Sequence, residues 1–156
     1  MKNCYFKSIF AGFIFMNLLF VMFSCGTSGS KSESSVTIDE FTTIPDQVVG
    51  CSCIYSIDEK AFDENKFIYA NDFDKLSFIS INGVMTQFTR SEDAKDVGEK
   101  TIVKFKNENY ELVVTVTKKI SSPEGEEPHV TNSGTLELID KDGKSTIKNF
   151  YGICGC

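Results

Sequence analysis

Cys51-Ser52-Cys53-Ile54-Tyr55-Ser56-Ile57 decides how this chain is read, together with its counterpart Phe150-Tyr151-Gly152-Ile153-Cys154-Gly155-Cys156. In a β-strand, residues two apart face the same way. Cys51 and Cys53 therefore share a face with Val49, Tyr55 and Ile57, while Ser52 and Ser56 lie opposite. The cysteines belong to the apolar, inward face. Cys154 and Cys156 share a face with Phe150 and Gly152. If the two stretches are antiparallel neighbours, setting Cys53 opposite Cys154 brings Cys51 opposite Cys156. The same register sets Tyr55 against Gly152, an aromatic ring over a glycine. It also sets Ile57 against Phe150, an apolar pair. Neither match was assumed in pairing the cysteines.

Directly opposed strand residues lie ~4.5–5.5 Å apart by Cα, which is disulfide range. The expectation is two bridges, Cys51–Cys156 and Cys53–Cys154, clasping the first strand of a sheet to the last. Each closes a loop of about a hundred residues, for which chain entropy gives ~4.7 kcal/mol. The two do not add fully, because the second closes almost the same loop. The alternative is a metal site of four thiolates, Cys51, Cys53, Cys154 and Cys156, suited to zinc or copper. One residue separates the ligands of each pair, where two to four is usual, and the chain has a single histidine, His129. A redox dithiol would be expected as Cys-x-x-Cys beside a helix, and neither pair has that form.

Between the cysteine pairs the chain reads as about eight strands. They are Val48 to Ile57, Lys66 to Asn71, Leu76 to Ile81, Val84 to Arg90, Thr101 to Lys106, Tyr110 to Ile120, Gly134 to Ile139 and Ser145 to Cys154. The cleanest alternation is in the sixth, with Tyr110, Leu112, Val114 and Val116 on one face. Asn82-Gly83 and Asp142-Gly143 are hairpin turn signals, since both residue types tolerate positive φ. Ser91 to Gly98 reads as a polar loop or one helical turn, and Ser121 to Ser133 as a long acidic loop. No long segment has a helical period. The expected fold is all-β: one antiparallel domain, a closed or nearly closed up-and-down barrel, with a β-sandwich as the alternative.

The 156 residues are enough for one domain, with a formal charge of −6. Lys2 and Lys7 form a basic start, and Ile9 to Phe23 is apolar apart from Gly12 and Asn17. That run is too short to span a bilayer comfortably and has the length of a signal-peptide core. It ends at Met22-Phe23-Ser24-Cys25-Gly26. Here the chain resembles bacterial lipoproteins with a type II signal peptide, in which a small residue precedes the cysteine that receives the lipid. Ser24 and Cys25 match; Met22 and Phe23 depart from the usual leucine and small residue. The resemblance implies cleavage after Ser24, a covalent lipid such as palmitate on Cys25, and a place in the bacterial cell envelope. Gly26 rather than Asp after the cysteine implies the outer membrane. A plain secretory signal and an N-terminal anchor are the alternatives. Cys4 is lost with the leader.

The organisation expected is a signal peptide over 1–24, a lipidated tether and lead-in over 25–47, and the β domain over 48–156. The Ser/Gly-rich tether has an r.m.s. reach of about 17 Å over ten residues. Taking the two lysines of the leader from −6 leaves −8. An acidic surface of this kind gains nothing from nucleic acid or anionic headgroups.

Other chemistry is thinner. His129 follows Glu124-Gly125-Glu126-Glu127-Pro128 and reads as a solvated loop histidine. Asn71, Asp72 and Asp74 hint at calcium ligands but lack the glycine and late glutamate of a calcium loop. Glu92, Asp93, Asp96 and Glu99 would form a general-acid pair only if something raised one pKa. Phe62, Phe67, Tyr69, Phe73 and Phe78 read as core rather than as a ligand pocket. With one histidine there is no base–nucleophile pair of the usual kind, so catalysis is not expected. No cofactor is expected beyond the lipid.

The functional expectation is an envelope lipoprotein whose disulfide-stapled domain is a binding or structural module. Its partners would be the membrane through the lipid, and a protein, glycan or small ligand in the envelope. The loop Ser121–Ser133 would be the contact element. A metal- or thiol-active protein using the four cysteines is the second reading. A lysozyme-inhibitor-like protein, similar in shape but without that family's Ser-Gly motif, is a lesser one. The terminus Gly152 to Cys156 also resembles small envelope lipoproteins ending in Gly-x-Cys-Gly-Cys, which implies no activity.

Overall fold

The strands are set by alternation and by what each can pair with. In the computed structural model, which describes residues 36–48 and 50–156, they are β1 (Ile38–Asp39), β2 (Ser52–Ser56), β3 (Tyr69–Asn71), β4 (Leu76–Ile81), β5 (Val84–Val97), β6 (Lys100–Lys106), β7 (Tyr110–Ser121), β8 (His129–Asp140) and β9 (Ser145–Gly155). Strands β2 to β9 pair antiparallel in chain order, and β2 pairs β9, closing an eight-stranded up-and-down barrel. β1 adds to β4 beyond the end of the short β3, with Ile38 opposite Ile81. The leader, Cys25 and the tether lie outside the described residues.

The closing register is the expected one over Cys53↔Cys154 and Tyr55↔Gly152. The expected pair Ile57–Phe150 does not form. The ladder ends at Ser56↔Tyr151, and Ile57 is 38% exposed. The chain bends away there into a short helix, α1 (Glu59–Asp63), whose first turn is capped by Asp58 accepting from the Ala61 N–H at 2.8 Å. Phe150 instead faces Gly134 of β8 and stacks its ring on Tyr55, 4.2 Å between centroids.

Two glycines of these ladders, Gly152 and Gly134, are required by closeness. A Cβ on Gly152 would run into the carbonyl oxygen of Ile54 and lie 2.7 Å from the Tyr55 ring. A Cβ on Gly134 would run into the carbonyl oxygen of Thr115 and lie 3.0 Å from the Phe150 ring. Each aromatic covers the glycine opposite it, which lets the sheet curve tightly where it closes. At Asn82-Gly83, φ is +50° and +79°, the hairpin turn expected.

Two polar stretches read as loops are strand. Ser91 to Val97 continues β5 against β6, with register shifts between Arg90 and Glu92 and between Glu92 and Lys95. Val130 to Ser133 belongs to β8, paired on both sides, to β7 and to β9. The acidic loop is therefore only residues 122–128. Both stretches lie towards one rim of the barrel, where β5 is solvated on both faces. Backbone pairing then persists without the apolar alternation that marks a strand.

The inward face supplies the core. At the end of the barrel away from the clasp, Ile79, Ile81, Phe88, Leu112, Leu136 and Leu138 are buried together with Ile38. The segment from Val36 crosses that end. Its Val36 carbonyl accepts from the Thr146 hydroxyl of β9 at 2.6 Å, and the Thr37 N–H donates to the Asn82 side chain. The chain then runs outside the barrel, where Phe41 and Val48 pack with Ala70 and Phe78. Every barrel strand finds both its neighbours within residues 36–156, and these residues supply the core. They meet the requirements of a domain that folds by itself.

Candidate functional site at the barrel mouth

The end carrying the clasp is built differently. It is framed by the β3–β4 turn, the tips of the β5–β6 and β7–β8 hairpins, and the two disulfides, Cys51–Cys156 and Cys53–Cys154. Inside it lies a cavity of about 260 Å³, open at the mouth. Val103, Phe105, Val114, Val116 and Val130 make most of its wall, with Tyr69 and the inner disulfide. Apolar wall with a few convergent polar groups is the usual make-up of a small-ligand site.

The polar groups Tyr55, Tyr69, Arg90, Lys119 and Asn132 come from five strands, β2, β3, β5, β7 and β8. Asn132 of β8 is 5% exposed and its Nδ2 donates to the Tyr55 hydroxyl oxygen at 3.2 Å and to Cys154 Sγ at 3.0 Å. A disulfide sulfur carries no proton, so in the 3.2 Å contact between the Tyr55 hydroxyl and Cys154 Sγ it is the tyrosine that donates. The Asn132 Oδ1 is buried without a protein partner, which makes it the costly atom of the group. Burial pushes the Tyr55 hydroxyl up to about 12, partly offset by Asn132. Burial also pushes Tyr69 well above its ordinary value. Both phenols are neutral hydrogen-bonding groups at physiological pH.

Arg90 of β5 lines the same cavity. Its guanidinium sits 5.7 Å from the centre of the Phe105 ring, a cation–π distance. Its Nη2 donates to the Phe73 carbonyl at 3.3 Å, while its Nε is buried without a partner. Lys119 of β7 stands at the mouth, donating to the Thr101 hydroxyl at 2.7 Å. Among the described residues neither cation is in an ion pair.

The β3–β4 turn holds one edge of the mouth. Asp72 Oδ1 accepts from the N–H groups of Asp74, Lys75 and Leu76, and Asn71 Oδ1 accepts from the Phe73 N–H. Two of the three residues that hinted at calcium, Asn71 and Asp72, are spent on the backbone of their own turn, as Asx turns. They hold Phe73 at φ +65° and 45% exposed beside the opening.

The remaining sequence candidates lie elsewhere. Of the five aromatics read as core, Tyr69 and Phe73 line the cavity, while Phe62 and Phe67 form an outer edge-to-face cluster with Tyr151, and Phe78 packs beneath Val48. His129 starts β8, its Nδ1 2.9 Å from the Glu127 carbonyl. Glu92 pairs with Lys95 at 2.8 Å, and that hydrogen bond lowers its pKa, the opposite of what a general acid needs. Asp96 accepts from the Thr101 hydroxyl at 2.6 Å. Among the described residues no three His, Cys, Asp or Glu side chains are grouped to hold a metal ion. The four cysteines, paired as disulfides, present no thiolate.

Sequence reading missed Arg90, Lys119 and Asn132. They fall in polar stretches with no motif, and only barrel closure brings them together. No protein-family model, curated protein or solved structure matches this chain.

Proposed function

We propose that the chain is a lipid-anchored protein of the bacterial cell envelope whose barrel binds a small, largely apolar ligand at its mouth. The observation that carries the binding reading is the cavity itself: one end of a small barrel is filled, and the other encloses about 260 Å³ of mostly apolar wall. A cavity of 150 Å³ with apolar walls takes up benzene, so this one suits a molecule of roughly ten non-hydrogen atoms. The sequence at Ser24-Cys25-Gly26 supports the anchor. The described chain begins at Val36 at the filled end of the barrel, away from the mouth. The lipid on Cys25 holds the domain at the membrane, the disulfides keep the mouth in shape, and the apolar wall takes the ligand.

Two experiments test the two halves of the reading. Labelled palmitate fed to the expressing bacterium should appear in the protein and vanish in Cys25→Ala. No label in the native protein, or label that persists in Cys25→Ala, would remove the anchor at Cys25. For the barrel, thermal unfolding of residues 36–156 should rise with small apolar or amphipathic molecules. The rise should disappear in Val114→Phe, which fills the cavity. A rise that survives the filling places binding elsewhere.

A further inference from the structure

We infer that the ligand of the mouth is an amphipathic anion, an apolar body of about eight carbons ending in a carboxylate or similar group; this rests on the mouth being a binding site at all. The lining holds two cations, Arg90 and Lys119, and no aspartate or glutamate. That is unexpected in a chain of net charge −6. Arg90 is half-buried over Phe105, and one of its N–H groups, Nε, is buried without an acceptor. A guanidinium presents planar paired donors that match a carboxylate. Its existing tie to the Phe73 carbonyl at 3.3 Å is a long one. Lys119 places a second positive charge at the mouth, held to Thr101.

Deeper in, the valines and Phe105 accept an alkyl or aromatic body. Asn132 Oδ1, buried and unpartnered, sits with the Tyr55 hydroxyl against the inner disulfide and would accept from a hydroxyl on the ligand. Asp96, which accepts from the same Thr101 hydroxyl that Lys119 donates to, offsets part of that lysine's charge, so Arg90 is the main anion contact. Asp74, Glu124, Glu126 and Glu127 stand on the rim. Those carboxylates are exposed, and exposed charges are screened within about 8 Å at physiological salt. The charge inside the cavity decides what stays bound.

Calorimetric titration of residues 36–156 with octanoate, octan-1-ol and octylammonium tests this. Octanoate should bind about tenfold or more tighter than octanol, the usual gain of a hydrogen bond to a charged group. Arg90→Gln should erase that preference while leaving octanol binding within about twofold, and Arg90→Lys should keep most of it. Lys119→Gln, at an exposed position that leaves folding intact, should cost octanoate a few-fold. Equal binding of octanoate and octanol, or tightest binding of octylammonium, overturns the anion while leaving a binding mouth. Binding of none of the three overturns both.

Discussion

The two ends of this barrel share eight strands and differ in what fills them. At the end where the chain enters, Leu112, Leu136 and Leu138 meet Ile79, Ile81 and Phe88, and β1 adds Ile38. At the clasped end smaller or polar residues, Val103, Val116, Val130, Asn132 and Arg90, stand beside the rings of Tyr55, Tyr69 and Phe105 and leave space between them. Inward leucine and phenylalanine fill a barrel of eight strands, whereas valine leaves room along its axis. The difference teaches that the disulfides stand at the end of the barrel that holds the open cavity. An end without a filled core gains little from apolar burial, so covalent links hold its strands in place.

The largest effect should come from the clasp. Reduction of both bridges, or their replacement by serine, should lower the unfolding free energy by about 4–5 kcal/mol, read from urea titration of residues 36–156. The mouth should lose order first. Loss of less than about 1 kcal/mol would mean that the strands there are held by packing after all.

Next is the filled end. Leu136 is fully buried, and Leu136→Ala should cost about 3 kcal/mol through the transfer and cavity terms. An equal cost for Val103→Ala, at the mouth, would erase the contrast between the ends; the expected value is under about 1 kcal/mol, because that valine already borders open space.

Alkali sharpens the comparison from the polar side. Tyr55 ionises at about 12 in the folded barrel, against about 10 when unfolded. A raised folded value means the contribution is fully present below pH 10. It is lost as pH rises towards 12, where the unfolded chain has already released its proton. The loss should reach about 2–3 kcal/mol, and buried Tyr69 acts in the same direction. Tyr55→Phe should flatten this part of the stability profile, measured by unfolding between pH 8 and about 12.

The clasp was legible because cysteines spaced by two fix a face, and a face fixes a register. Tyr55 against Gly152 then followed from side-chain chemistry. Ile57 against Phe150 failed because the register holds only while both chains stay extended, and Asp58 starts a helix. That helix had a readable signal, an Asp cap before Glu59. The long acidic loop was misread because a solvated ribbon shows no alternation. Of the mouth, Tyr69, Phe73 and the inner disulfide were in view, but its polar groups were not legible. Arg90, Lys119 and Asn132 stand on three different strands, and no spacing within the chain announces that they converge.

The most direct measurement is a methyl-labelled NMR spectrum of residues 36–156 titrated with octanoate. The account predicts shifts at Val103, Val116 and Val130, with Leu112, Leu136 and Leu138 unmoved. Shifts at those leucines instead, or none at the valines while binding saturates, would contradict it.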